Sequence, residues 1–285
     1  MYALIISLIS SLCVGFYIKT LKIASSKNLF LLVIFNYIVA VILSYIFFDI
    51  SLNEIVSSKI NIGLVLFLGI LMPSAFYILN KSLKTSGLAK TDIFQRLSLI
   101  IPVLLSFFIF NEVFSINKAI IILLSFISIC FLLYKKSTNN GKFNIIYLIL
   151  VFLIYGLIDT LFKIIATSSS TKYTTTLFFI FICCTVVSLL YYFFNKGKSD
   201  LKFIYLGALL GILNFCNIFF YMKAHTYFKD SPTLVFITMN LGVIIGGTLI
   251  GKYYFKEKIS KPNVIGILLA VASIILLALV QLNIL

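Results

Sequence analysis

Long apolar runs alternate with short polar connections along the whole chain. An α-helix needs about 20 apolar residues to cross the hydrocarbon core of a bilayer. Because backbone in lipid must satisfy its hydrogen bonds internally, the pattern predicts an all-α membrane protein with ten transmembrane helices and no room for a soluble domain. The predicted spans cover residues 1–18, 28–48, 60–80, 88–110, 117–134, 143–162, 173–194, 202–222, 232–251 and 263–282.

The lysines indicate an orientation for these spans. Most of them lie in the odd-numbered connections, and short loops rich in Lys and Arg stay in the cytoplasm. Both termini are therefore expected outside. The chain is 62% hydrophobic and 11% charged, whereas about 25% of a soluble domain is charged. We interpret the net charge of +15 as membrane topology, so that no nucleic-acid partner is expected.

The second part of the chain repeats the first. Phe110–Ser115 resembles Phe255–Ser260 at an offset of 145 residues. The repeat predicts a first five-helix half at 1–136, a polar linker at 137–142 and a second five-helix half at 143–285. Halves with an odd number of spans enter the membrane in opposite orientations. We therefore expect two inverted repeats, with a substrate site near the midplane between them.

Each half ends in a helix, a turn that contains Glu, and another helix, and this arrangement resembles the EamA-type members of the drug/metabolite transporter superfamily. The resemblance is carried by Lys84 to Leu133, and above all by the turns at Glu112 and Glu257. The family usually has Gly before this Glu, where Asn111 and Lys256 stand here. The resemblance implies a secondary transporter that does not hydrolyse ATP. It also implies cytoplasmic termini, opposite to the orientation from the lysines.

The fourth span carries charges that are costly in lipid. Asp92, Gln95 and Arg96 share one helical face, and Asp92 lies one turn before Arg96. In one interpretation the two charges only neutralise each other near the cytoplasmic interface. In the other, Arg96 binds a substrate carboxylate or phosphate and Asp92 supports it. At the repeat offset Gln95 corresponds to Asn240, and the two amides are expected to contact substrate or to bridge helices.

Asp159 is the candidate for proton coupling. It lies deep in the sixth span, four residues before Lys163. A carboxyl group that loses its water binds a proton more readily, which would make transport proton-driven. The alternative is an interfacial Asp–Lys pair.

Other polar side chains are candidates for the wall of the substrate site. Asn214 and Asn217 share a face of the eighth span, Asn36 lies in the second span and Tyr77 in the third. A polar stripe in lipid faces other helices, where it either lines a cavity or bonds the helices together.

The remaining features are given structural roles. Ser115 and Ser260 are expected to be helix N-caps, with Glu112 and Glu257 as local partners of the helices that follow. His225 is interpreted as a solvated loop residue. Five cysteines lie in apolar runs without metal-ligand spacing to it, so no metal or cofactor is expected. Four glycines of the ninth span are expected to allow close helix packing: Gly242, Gly246, Gly247 and Gly251.

We therefore expect a secondary active transporter, not an enzyme, that moves a small polar metabolite by alternating access in the cell (inner) membrane, as a monomer or homodimer. Arg96 favours an amino acid or a related compound bearing a carboxylate or phosphate. One alternative is an exporter of lipophilic cationic drugs that uses Asp159 and the aromatic side chains. Another is a membrane enzyme or a scaffold, although an enzyme needs convergent acids and histidines, and this chain has eight acids and one histidine.

Overall fold

The computed structural model describes residues 2–21, 23, 25–48, 60–134, 144–167, 172–195, 199–254, 256 and 260–281. Within these ranges it consists of ten helices and no strand, which confirms the all-α class. Glu257 and the predicted linker lie outside the described residues. The helices are α1 (Tyr2–Thr20), α2 (Ser26–Phe47), α3 (Ile62–Leu97), α4 (Ile100–Phe108), α5 (Ile116–Leu132), α6 (Ile145–Thr167), α7 (Tyr173–Phe194), α8 (Lys202–Tyr227), α9 (Pro232–Tyr253) and α10 (Lys261–Gln281).

Eight of the described helical segments are long and apolar enough to cross a bilayer. The shorter apolar segments are Tyr2–Ile18 in α1 and Ile116–Leu132 in α5. Large apolar side chains such as Phe108 and Leu268 are exposed along the helices, which suits contact with lipid rather than water. The chain is thus a multi-pass membrane protein, while ten complete spans and their orientation stay predictions.

Side-chain caps begin helices where the sequence places Ser before an apolar run. The hydroxyl of Ser115 accepts a hydrogen bond from the amide of Lys118 at 3.2 Å. Ser260 and Asn263 bond reciprocally: Ser260 Oγ accepts from the Asn263 amide at 3.4 Å, and Asn263 Oδ1 accepts from the Ser260 amide at 3.0 Å. Such bonds satisfy amides that a helix start leaves without partners. Both predicted N-caps are confirmed.

A single residue, not a loop, separates the third and fourth predicted spans. Helix α3 is interrupted at Gly87, whose φ of 78° lies in the left-handed region that Gly adopts at no steric cost. The two membrane-length segments are Ile62–Gly87 and Lys90–Phe108. A second break at Ser98 separates α3 from α4, in which Pro102 is the third residue.

The chain forms two compact units, and each takes helices from both predicted halves. The first unit contains Met1–Ile78 and Leu161–Thr226, and the second contains Leu79–Thr160 and Tyr227–Leu285. In the first unit α2 packs against α7. In the second unit α5 packs against α10, and α9 contacts α4, α5 and α10.

Two glycines on α8 allow a close contact with α2 in the first unit. A Cβ on Gly211 would lie 2.6 Å from the carbonyl oxygen of Asn36, and a Cβ on Gly207 would overlap the carbonyl of Leu32. Residues without side chains let two helix backbones approach this closely. The close approach predicted for the ninth span is wrong at Gly247, because a Cβ there would meet nothing within 4 Å among the described residues.

Candidate functional site

Arg96 lies in the last turn of α3, beside the break before α4. Its Nε is 3.5 Å from Oδ1 of Asp92, so the two charges form an ion pair one helical turn apart. The same Nε is buried and has no hydrogen-bond partner in the part of the chain that the structure describes. A buried donor without an acceptor is costly. The described residues therefore leave one buried donor of Arg96 available for an acceptor oxygen.

Helix α6 packs against the break between α3 and α4 and brings Asp159 to this region. A Cβ on Gly156 would lie 2.9 Å from the carbonyl oxygen of Ser98. Tyr155, the residue before this glycine, interacts electrostatically with both Arg96 and Asp159. The candidate for substrate binding and the candidate for proton coupling thus lie around one tyrosine of the second unit. Tyr155 is not among the site residues that the sequence predicts.

The amides of Gln95 and Asn240 have no described contact with each other. Asn240 Nδ2 donates to the carbonyl of Phe236, one turn earlier on α9, at 3.3 Å. The backbone carbonyl of Gln95, not its side chain, accepts a hydrogen bond from the hydroxyl of Ser98 at 2.6 Å, in the turn that ends α3. The symmetric amide pair therefore stays a prediction.

Asn36 and Asn214 meet where α2 contacts α8. Asn214 Nδ2 donates to Oδ1 of Asn36 at 3.3 Å, and both side chains are buried. The close approach at Gly207 and Gly211 makes this bond possible. The Nδ2 of Asn36 has no hydrogen-bond partner among the described residues. The pair bonds two helices and leaves one buried donor available.

Asn217 and Tyr77 also take part in contacts within the first unit. The hydroxyl of Ser7 lies 3.0 Å from the backbone oxygen of Asn217 and 3.1 Å from its Oδ1, and it donates to them. The ring of Tyr77 stacks on Phe30 with 5.8 Å between centroids. These contacts favour the interpretation that the polar stripe bonds helices together.

Glu112 caps a helix of the other predicted half. Its Oε2 accepts hydrogen bonds from the amide of Thr233 at 3.2 Å and from the hydroxyl of Thr233 at 2.6 Å, in the first turn of α9. Its Oε1 lies 3.2 Å from the ammonium of Lys118 in α5. The structural role predicted for Glu112 is confirmed. Its main partner, however, is remote in sequence rather than local.

Two buried ionisable side chains, Lys163 and His225, were not identified as site candidates. Lys163 is 1% exposed in α6 and His225 is 0% exposed in α8. His225 packs edge-on against Tyr221 with 4.7 Å between ring centroids, and it interacts electrostatically with Lys163. The expectation of a solvated loop histidine is wrong, because α8 continues to Tyr227. The spacing of Tyr221 and His225, one helical turn, was the available signal.

The predicted site residues divide between the two compact units. Within the described ranges, no group of three or more His, Cys, Asp or Glu side chains is placed to hold a metal ion. The available chemistry is hydrogen bonding and charge recognition. The first unit holds Asn36, Tyr77, Asn214 and Asn217, and the second holds Asp92, Gln95, Arg96, Asp159 and Asn240.

Comparison with known proteins agrees with the resemblance in the sequence. The model of the EamA-like transporter family matches residues 1–134 and 142–279. An uncharacterized protein of Haemophilus influenzae is 38% identical over 284 aligned residues, which cover 96% of each chain. A solved protein crystal structure superposes with a TM-score of 0.74 and 14% identity, over 99% of this chain and 97% of the other. At that identity the likeness concerns the fold alone.

Proposed function

Because the chain belongs to the EamA-like transporter family, a family of membrane transporters, we propose that it is a secondary active transporter of a small polar metabolite that bears a carboxylate or phosphate, with amino acids as the first candidates. Transport is by alternating access and is coupled to protons. The protein works in the cell (inner) membrane as a monomer or homodimer.

Arg96 carries the proposed substrate class. It is the only arginine in the chain, and its buried Nε has no hydrogen-bond acceptor among the described residues. A planar guanidinium binds carboxylates and phosphates with paired hydrogen bonds. Asp92, 3.5 Å away, orients the guanidinium as a supporting residue. Its side chain is 39% exposed, so the ion pair alone is weakly stabilising and a bound anion can compete for Arg96.

Asp159 is the proposed proton-coupling residue. An ionisable side chain in a membrane helix is costly and points to a function. Asp159 and Arg96 both interact electrostatically with Tyr155. When Asp159 takes up a proton, one negative charge near the proposed substrate group disappears, which strengthens the attraction between Arg96 and an anion. Proton binding and substrate binding therefore support each other.

In alternating access, two pseudo-symmetric halves of a transporter adopt two different arrangements. Several observations support a repeat of this kind in the chain. Each compact unit contains counterpart helices from both predicted halves, and the pairs α2 with α7 and α5 with α10 are counterparts that pack together. The turns at the repeat offset share a rare backbone conformation, with φ of 51° at Asn111 and 55° at Lys256. Inverted repeats are the arrangement that many secondary transporters use for alternating access.

Amide side chains are proposed to contact the substrate during this cycle. Gln95 lies next to Arg96 in sequence, and Asn240 is its counterpart in the second half. Asn36 has a buried donor without a partner in the described part of the chain. We retain these three, with Tyr77, Asn214 and Asn217, as proposed substrate contacts. Alternating access moves helices apart, which breaks hydrogen bonds between them and leaves the polar side chains available to the substrate.

The test uses the purified protein and a panel of amino acids, dicarboxylates, sugar phosphates and lipophilic cations. A ligand that binds only the folded state raises the melting temperature; at a free concentration of roughly 100 Kd the stabilisation is about 2.7 kcal/mol. We expect anionic compounds to stabilise the parent protein and to lose this effect with Arg96→Ala. Arg96→Lys should retain only part of it, because the ammonium lacks the guanidinium fork.

A second readout uses the single arginine. In protein labelled with 15N-arginine, the stabilising anion should shift the one guanidinium NMR signal. Lys261→Ala, which removes an exposed lysine at the start of α10, is the matched control and should bind as the parent does. Equal stabilisation of parent and Arg96→Ala by lipophilic cations would instead favour the drug exporter. If no compound stabilises the protein, and if variants that remove the charges inside the membrane leave every measured flux unchanged, transport itself is refuted.

A further inference from the structure

Helix α7 lies directly against the first segment of α3 in the first unit. A Cβ on Gly69 of α3 would overlap the side chain of Cys183 of α7. Further along both helices, the hydroxyl oxygens of Ser74 and Tyr191 are 3.1 Å apart. Because Gly69 has no side chain, the two helices approach closely at this level. The approach brings sulfur atoms of α7 into contact with α3.

The thiol of Cys184 faces two atoms of α3 at this close contact. Its Sγ lies 4.0 Å from Sδ of Met72 and 3.9 Å from the backbone oxygen of Leu68, one helical turn earlier. Cys184 is 0% exposed and Met72 is 6% exposed, so the two sulfur atoms meet away from solvent. They are 112 positions apart in the sequence, and no spacing motif along the chain reveals the pair.

A thiolate and a thioether are the ligands that soft metal ions such as Cu(I) prefer. Two metal–sulfur bonds of about 2.3 Å, the length found in zinc sites, span at most about 4.6 Å. The observed separation of 4.0 Å therefore admits an ion between the two sulfur atoms in a bent arrangement. A small movement of the flexible Met72 side chain would also allow a linear one.

The charge of the site selects a monovalent ion. Cys184 is a free cysteine, and its protonated thiol and the thioether of Met72 are both neutral. An unbalanced charge at such a buried position is costly. A monovalent ion that replaces the thiol proton leaves the site neutral, whereas a divalent ion such as Zn²⁺ leaves one positive charge.

We propose that Cys184 and Met72 bind one soft monovalent cation, Cu(I) or Ag(I), which bridges α7 and α3. In the binding step the S–H bond of Cys184 breaks and its proton passes to water, while Cys184 Sγ and a lone pair of Met72 Sδ each form a bond to the ion. The oxidation states of the ion and of both sulfur atoms are unchanged. The site lies in the first unit, whereas Arg96 and Asp159 lie in the second. The inference therefore does not rest on the proposed transport function.

The test uses silver nitrate, because Ag(I) has the required charge and preference for sulfur and is not oxidised in air. One equivalent should raise the melting temperature of the full chain, and X-ray absorption at the silver edge should show two sulfur neighbours. Met72→Leu roughly keeps the side-chain volume but removes the thioether, so it should lose one sulfur neighbour and most of the rise in melting temperature. Four cysteines are first replaced by serine so that Cys184 is the only thiol: Cys13, Cys130, Cys183 and Cys216.

Met239→Leu is the matched control, since it removes another buried methionine, in α9 of the second unit; both sulfur neighbours should remain. Cys184→Ser should abolish silver binding in the four-serine protein, and excess zinc chloride should not compete. One sulfur neighbour in the parent, or an unchanged spectrum in Met72→Leu, would overturn the proposal. If the four-serine protein does not fold, Cys184→Ser in the natural chain should reduce the number of bound Ag(I) ions by one, and an unchanged number overturns the site.

Discussion

The carboxylate of Glu112 accepts hydrogen bonds from both the amide and the hydroxyl of Thr233, 121 positions later in the chain. A negative charge at the first turn of α9 is also favoured by the helix dipole. Lys118 balances the charge from α5. The Glu112 side chain is 1% exposed, so the junction of α4, α5 and α9 depends on a buried, fully bonded carboxylate.

Glu112→Ala should destabilise the second unit strongly. It leaves the Thr233 amide without its acceptor and removes the carboxylate that pairs with the Lys118 ammonium, and we expect the free energy of unfolding to fall by about 3 kcal/mol. Glu112→Gln keeps an acceptor for Thr233 but loses the charge, so its effect should be smaller. Thermal unfolding in detergent measures both. Asp230→Asn changes an exposed acid just before α9 and should shift the melting temperature little. Equal shifts for Glu112→Ala and Asp230→Asn would show that the Glu112 carboxylate does not stabilise the junction of α4, α5 and α9.

Contacts within one helical turn could be predicted from the sequence, and contacts across the chain could not. The Asp92–Arg96 pair and the Ser115 cap follow from spacings of three or four residues. The bond between Asn36 and Asn214 spans 178 positions, and no periodicity encodes such a partner. Apolar patterning predicts which runs enter the membrane, but it does not predict which polar side chains face another helix.

Burial was the second quantity that the pattern left undetermined. Lys163 sits in an apolar run, where a lysine near a helix end usually extends toward the headgroups, yet it is 1% exposed. The hydrogen bond from Thr226 to Ala166 joins this end of α6 to α8. The predicted eighth span ends at residue 222, which places His225 in a loop, whereas α8 continues to Tyr227. Helix ends are where tertiary contacts override composition.

Lys256 stores strain that glycine would remove. Its φ of 55° lies in the left-handed region, which costs roughly 1 kcal/mol or more for a residue with a Cβ. Lys256→Gly should therefore raise the free energy of unfolding by about 1 kcal/mol. Asn111→Gly, at φ of 51°, should gain less, because Asn tolerates this region. A lower melting temperature for Lys256→Gly in thermal unfolding would show that Lys256 is not strained in the left-handed region.

Asp200 should make stability depend on pH at the start of α8. The side chain of Lys202, 2.9 Å away, and the Lys202 amide at 3.0 Å both bond to the carboxylate, and they lower the pKa of Asp200. A carboxyl group with a lowered pKa stabilises the folded state above its unfolded pKa of about 4 and loses this effect as the pH falls. The melting temperature of the parent should be slightly higher than that of Asp200→Asn at pH 7 and equal to it at pH 3. A difference in melting temperature that grows as the pH falls would contradict a stabilising, ionised Asp200.

Gly211 and Gly247 provide a matched pair of glycine-to-alanine changes in membrane helices. At Gly211 the new Cβ would lie 2.6 Å from the backbone oxygen of Asn36, so α2 and α8 must separate, and the bond from Asn214 to Asn36 weakens with them. We expect Gly211→Ala to cost about 1–3 kcal/mol, as overpacking does in cores. At Gly247 the space is open among the described residues, and Ala should add about 0.5–1 kcal/mol through its helix propensity. Opposite shifts of the melting temperature are the expected result; shifts of the same sign would mean that backbone contact at α2 and α8 does not hold Asn36 and Asn214 together.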